Sequence, residues 1–269
     1  MEITLTIIFA LLGIAVGSFL NVCIDRLPGK KSLVYPPSHC DTCQHPLSPI
    51  DLIPIISYLW LRGRCRFCHS GIPLRPLLVE LIGGTLFAFA YWHFGLSAEL
   101  AVTLLFSSIF IVLGFIDWEH QLILNRITYP AAVAALIISI FQHPPGIINI
   151  ALPWSAIAGG VNGIINSIIG GAIGFAFFLI VILINPRGMG WGDVKLAGLI
   201  GLVMGFRLVF VALFIGIISG GVYAIILLSM KKKGRKDVVP YGSFLVLGPI
   251  IAMLWGNDIL AWYLGFFQP

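Results

Sequence analysis

The chain has 269 residues, 59% of them apolar and only 10% charged, against about 45–50% and about 25% in soluble domains. That excludes an ordinary soluble globular protein and points to an all-α, polytopic transmembrane bundle with at most one small extramembrane module. The net charge of +5 does not call for nucleic acid, because Lys and Arg gathered at one membrane face give the same excess.

Apolar runs read against loop signals predict eight spans, at about 3–24, 77–94, 99–116, 127–142, 166–184, 195–206, 208–229 and 243–263, the sixth being short. The first has no Lys or Arg before it, ends in Asp25-Arg26 and lacks a small-residue cleavage pattern. It therefore reads as a retained helix and not as a removed signal peptide. The expected organisation is a first membrane helix at 1–24, a cysteine-bearing insert at 25–76 and a larger helical bundle at 77–269.

Within the insert, Cys40-x2-Cys43 and Cys65-x2-Cys68 are separated by 21 residues. Two such thiol pairs grip one tetrahedral zinc ion when their hairpins converge. Cys40, Cys43, Cys65 and Cys68 are the expected structural Zn2+ ligands; His39, His45 and His69 flank them as alternative donors. A metal answers a folding problem, since some 50 residues with few apolar side chains bury too little surface to order alone. Cys23, inside the first span, reads as a small packed residue.

Charge sets the topology. With the N-terminus outside, the loops at 25–76, 117–126, 185–195 and 230–242 face the cytoplasm and hold 15 of the 16 Lys and Arg residues, leaving Arg207 outside. This is the asymmetry of the positive-inside rule, and it puts the cysteines in a reducing compartment where thiolates, not disulfides, are expected. The basic run 231–236 reads as an anchor beside anionic lipid. The segment 143–165, with three prolines and only His143 as a titratable side chain, reads as an external loop. The pairs Gly13/Gly17, Gly170/Gly174, Gly201/Gly205 and Gly216/Gly220 are spaced for close helix packing.

Only 11 acidic residues exist, so their positions are informative. Asp117 ends the third span in Ile116-Asp117-Trp118-Glu119-His120, and Asp193 opens the sixth in Gly188-Met189-Gly190-Trp191-Gly192-Asp193. Both fall at the cytoplasmic face of the charge-derived topology. Ionisable groups at membrane depth are expensive and mark function or a buried pair. The glycines before Asp193 allow positive φ and leave no side chain between the backbone and an approaching peptide. Two carboxylates in low dielectric do not both ionise easily, so one keeps a proton while the other takes one from water. That suits peptide hydrolysis. Glu119 and Glu80 are rival acids.

The run Gly-Met-Gly-Trp-Gly-Asp-Val-Lys-Leu at 188–196 resembles the GxGD signature of the bacterial prepilin peptidases. Three further blocks are similar to that family, in its order: Gly17-Ser18-Phe19-Leu20-Asn21-Val22 with Arg26-Leu27-Pro28, Asp117-Trp118-Glu119-His120-Gln121-Leu122, and Pro240-Tyr241-Gly242-Ser243-Phe244-Leu245. The insert resembles the family's cytoplasmic domain in Pro37-Ser38-His39-Cys40, Ile53-Pro54-Ile55-Ile56-Ser57-Tyr58-Leu59 and Leu61-Arg62-Gly63-Arg64-Cys65. Leu124 and Leu52 stand where the family usually has Pro and Asn. The resemblance implies that Asp117 and Asp193 are the catalytic pair and that the substrates are type IV prepilins or type II secretion pseudopilins. It also implies a multi-pass protein of the bacterial inner membrane, and methylation of the new N-terminus from S-adenosylmethionine, whose site no sequence motif locates.

Two rival classes remain at this level. An ion- or proton-coupled transporter would carry further acids deep within spans, for which Glu80 is the best candidate. A non-enzymatic assembly protein would be built on the cysteine insert alone.

Overall fold

The computed structural model describes residues 2–141, 159–184, 189–230 and 240–266. Most of the expected external loop, Gly188, Arg187 and the basic run 231–236 lie outside these. The described residues form helices α1 (Glu2–Arg26), α2 (Ile56–Trp60), α3 (Arg75–Phe94), α4 (Ala98–His120) and α5 (Asn125–Phe141), then α6 (Gly159–Ile184), α7 (Trp191–Ser229), α8 (Tyr241–Leu245) and α9 (Leu247–Gly265). Among the described residues there is no strand; two isolated antiparallel bridges, His39 to Pro46 and Arg64 to Gly71, stand alone. The protein is an all-α membrane protein.

Among the described residues six helices are long and apolar enough to cross a bilayer, two fewer than the eight expected spans. Two helices account for the difference. Helix α5 has 17 described residues, about 25 Å at 1.5 Å per residue against a bilayer core of about 30 Å, and residue 142, where the expected span ends, lies outside the described residues. The expected sixth and seventh spans both lie in α7, where two helical stretches meet at a kink at Gly205, φ 69°, and count together as one. Only glycine takes that left-handed conformation without penalty. The groups freed by the break are re-bonded from α6: Asn166 Oδ1 accepts the Phe206 N–H at 3.0 Å and the Ser167 hydroxyl donates to the Leu202 carbonyl at 2.6 Å. Where no water reaches, a broken helix needs such partners. Residues 159–165, expected as loop, begin α6.

The chain divides into two compact units, Met1–Val112 and Leu113–Pro269, with the boundary inside α4. In the first, α1 and α3 pack through glycines; a Cβ on Gly17 would fall 2.8 Å from Glu80 Cα, so backbone meets backbone there. Asn21 ties the pair, its amide nitrogen donating to the carbonyls of Gly17 and Pro76. In the second, α6 and α7 make the same kind of contact, with a Cβ on Gly170 falling 2.7 Å from Gly205 Cα. Large apolar side chains such as Ile3, Leu11, Val133, Phe214 and Ile225 are exposed. On helices of this length that is the surface lipid covers, not a soluble core turned out.

Candidate active site and four-cysteine centre

Asp117 lies in the last turn of α4, 5% exposed. Its partner is Ser243, 126 residues away on α8: the Ser243 N–H donates to Asp117 Oδ2 at 2.8 Å, and the Ser243 hydroxyl lies 3.1 Å from the same oxygen and 2.9 Å from the Gly114 carbonyl. One hydroxyl proton thus faces two acceptors.

Asp193 occupies the third position of α7, 9% exposed. Its Oδ2 accepts the Gly190 N–H at 3.2 Å, the reaching-back half of a capping box. A carboxylate in a first helical turn also complements the positive end of the helix dipole.

Small residues bring the two acids together. A Cβ on Gly242 would lie 3.0 Å from Asp117 Cγ and 2.9 Å from Ile123 Cδ1; a Cβ on Gly192 would lie 2.9 Å from Ile123 Cγ1. Ile123 is therefore wedged between the glycine beside Asp193 and the glycine beside Asp117. An aromatic group flanks the pair: Trp118, Tyr223 and Phe244 have ring centroids 4.5–6.1 Å apart. Lys195 donates to Asn125 Oδ1 at 3.1 Å, linking the turn after Asp117 to the start of α7.

The expected reason for the glycines is only half realised. Gly190 has φ −86° and ψ 151°, extended backbone open to any residue, and the described positive-φ glycines are Gly63, Gly95 and Gly205. Close approach, not left-handed backbone, is what Gly192 serves. Of the rival acids, Glu119 is exposed. Glu80 belongs to the other unit, where it accepts the Ile55 N–H at 2.7 Å. Residue-level reading assigned no role to Gly242, Ser243 or Ile123. The block at 240–245 was a resemblance only, and nothing local in it signals a carboxylate partner.

In the first unit, two hairpins of the same design bring four thiols together. The Cys40 N–H donates to the His45 carbonyl and Cys65 N–H to that of Ser70; Gln44 and His69, each one residue past a Cys pair, have φ of 59° and 56°. The sulfurs of Cys40, Cys43, Cys65 and Cys68 all lie within 4.8 Å of one another, and those of Cys40 and Cys68 are 3.7 Å apart. Zn–S bonds of about 2.3 Å in a tetrahedron place sulfurs about 3.8 Å apart, so the donor set and spacing fit a metal of that kind. Backbone N–H groups of Cys43 and Thr42, with the Ser70 hydroxyl, hold the Cys40 thiol down at about 6. The Ser70 hydroxyl and N–H likewise pull Cys68 below the usual thiol range. Thiolate is the form that binds metal. None of His39, His45 or His69 belongs to the cluster. Cys23 is buried within α1, apart from it.

Residues 11–94 match the Bacterial Peptidase A24 N-terminal domain, and residues 104–225 match the Type IV leader peptidase family. Proteins named prepilin leader peptidase/N-methyltransferase are similar along nearly their whole length. That of Stutzerimonas stutzeri is 32% identical over 278 residues, 95% of this chain and 92% of the relative. That of Bacillus subtilis is 31% identical over 263 residues, 97% and 98%; that of Pseudomonas aeruginosa is 30% identical, 95% and 92%. No solved structure matches. Over both of its units, this multi-pass membrane chain belongs to the type IV leader peptidase family.

Proposed function

We propose that the protein is a bifunctional inner-membrane enzyme that cleaves the leader of type IV prepilins or type II secretion pseudopilins and then methylates the new N-terminal amine. Asp117 and Asp193 form the catalytic pair. The observation that supports this reading is the burial of both at helix ends that meet Ile123, which is seated between Gly192 and Gly242. One carboxylate takes a proton from water, whose oxygen bonds to the scissile carbonyl carbon. The other, protonated, donates to the carbonyl oxygen; the C–N bond then breaks and the leaving amine takes a proton from the pair.

The positive-inside distribution of Lys and Arg supports a cytoplasmic position for the cysteine module and for both aspartates, with the N-terminus outside. A basic leader held inside meets the pair there, while the apolar pilin segment enters the bilayer. Cys40, Cys43, Cys65 and Cys68 hold a structural zinc. S-adenosylmethionine, when bound, would supply the methyl group for the new N-terminal amine.

The test is cleavage of a prepilin by the reconstituted enzyme. Asp117→Asn and Asp193→Asn are each expected to lower the rate by about 10²–10⁴-fold, the range for losing a positioned acid or base. Full-rate cleavage by either variant removes that residue from the pair.

A further inference from the structure

The unit Met1–Val112 holds a partly open cavity of about 290 Å³ between the end of α1, the start of α3 and the cysteine hairpins. That is near the lower end of small-molecule sites, about 300–1,000 Å³. Hydrolysis makes no use of it, since the aspartate pair belongs to the other unit. All of its lining residues, from Ser18 to Glu80, fall within the N-terminal family match at 11–94.

Three observations describe what it takes. Asn21, on the cavity wall and 7% exposed, has a buried Oδ1 with no hydrogen-bond partner among the described residues. Its nitrogen is committed to the Gly17 and Pro76 carbonyls, so the orphan is an acceptor awaiting a donor. Glu80, also lining the cavity and 7% exposed, is held by the Ile55 N–H, and Ile55 has φ 61°. A β-branched residue rarely adopts that conformation, and such strain clusters at binding sites. Finally, four carboxylates line the space against two guanidiniums, and both guanidiniums are paired: Arg75 with Asp25 at 2.6 Å and Arg66 with Asp51 at 2.7 Å. The surplus is anionic, which disfavours a phosphate-bearing ligand and favours a cationic one.

We propose that this cavity is the S-adenosylmethionine site, with Glu80 facing the cationic end of the donor and Asn21 Oδ1 accepting one of its N–H groups. The donor carries a sulfonium, an ammonium and a carboxylate, a net positive ligand with several N–H donors, which is the chemistry the wall lacks. The placement rests on the methyl-transfer reading and adds to it where the donor sits.

The test uses the full-length protein in lipid nanodiscs and reads equilibrium binding, not turnover. S-adenosylmethionine and its neutral thioether product, S-adenosylhomocysteine, are titrated against wild type, Glu80→Gln and Asn21→Leu. Zinc content and thermal unfolding check that each variant is folded. Both variants are expected to bind the sulfonium compound at least tenfold more weakly, and Glu80→Gln is expected to lose the preference for sulfonium over thioether. Because Asn21 also ties α1 to α3, ultraviolet crosslinking of labelled donor to wild type provides an independent reading, with the label expected between residues 18 and 80. Unchanged affinity in both variants, label within Leu113–Pro269, or a basic leader peptide protecting the cavity while donor binding persists elsewhere would overturn the placement alone. A wild-type protein that neither binds donor nor methylates would overturn the methyl-transfer reading beneath it.

Discussion

Gly242→Ala separates catalytic geometry from stability, because the two are expected to move in opposite directions. The added Cβ would sit 3.0 Å from Asp117 Cγ and Oδ2 and 2.9 Å from Ile123 Cδ1. An unstrained carbon contact needs about 3.5–4.0 Å, so the Asp117 carboxyl must retreat by roughly half an ångström. Misplacement of about 1 Å costs about 10²-fold in rate; half of that, at a carboxyl also anchored by Ser243, gives an expected loss in kcat of about 10-fold. Gly242 lies in α8 and is not a positive-φ residue, so alanine meets no backbone strain. Its higher helix propensity contributes up to about 1 kcal/mol, offset in part by the tight contact. Gly221→Ala is the control: its Cβ would meet nothing within 4 Å in α7, so it should leave cleavage unchanged and raise stability slightly. The assay pairs steady-state prepilin cleavage in proteoliposomes with thermal unfolding of the same samples. Wild-type kcat in Gly242→Ala would refute the close approach of Gly242 to Asp117. Loss of activity that merely tracks loss of folded protein would refute the reasoning as well.

Ser243→Ala removes the hydroxyl but keeps the N–H bonded to Asp117, so kcat should fall by about 5- to 10-fold, one modest hydrogen bond; a loss as deep as that of Asp117→Asn would mean the hydroxyl reacts directly. For the metal, the purified protein should hold one zinc per chain, and Cys40→Ser/Cys65→Ser should abolish it and lower the unfolding temperature; stoichiometric zinc surviving that double substitution contradicts the four-thiolate site. Asp51 supplies a pH dependence: the Ser48 hydroxyl, then the Ser48 N–H and Arg66, hold its carboxyl below the usual range. A carboxyl depressed on folding stabilises above its unfolded pKa of about 3.9 and loses that contribution as pH falls through the lower folded value. The unfolding-temperature gap between wild type and Asp51→Asn should therefore be full at pH 6 and shrink below about pH 4, and a gap widening in acid would contradict the sign.

Hydropathy and charge carried the fold far because bilayer thickness constrains helix length more tightly than any soluble core does. They put the junction of the sixth and seventh spans close to the kink of α7, but were silent on what holds it. The boundary expected between 206 and 208 falls one residue from Gly205, yet the sequence shows a glycine with no sign that Asn166 and Ser167, some 40 residues earlier, re-bond the groups freed there. Gly170 and Gly174 were legible as packing residues from their spacing, but not their partners, since spacing within one helix is silent about the other.

The candidate site divides along the same line. Asp117 and Asp193 stand out locally, because an acid at the end of an apolar run is conspicuous by its cost. Ser243 and Gly242 do not, because a serine and a glycine in a short turn are ordinary, and their roles come from a carboxylate 126 residues away. What made the Gly190-Trp191-Gly192-Asp193 run readable was the scarcity of charge around it, and what the sequence misassigned was the glycine's purpose. Left-handed backbone is an intrinsic property of glycine and so the natural inference from sequence; the absence of a Cβ against Ile123 is a relation between two turns. The same relation explains why the site tolerates Leu124 in the turn after Asp117: α5 begins at once with Asn125 bonded to Lys195, and Leu124 itself accepts the Thr128 N–H and hydroxyl through its carbonyl. Backbone and side-chain hydrogen bonds hold that turn where a proline ring would otherwise restrict it.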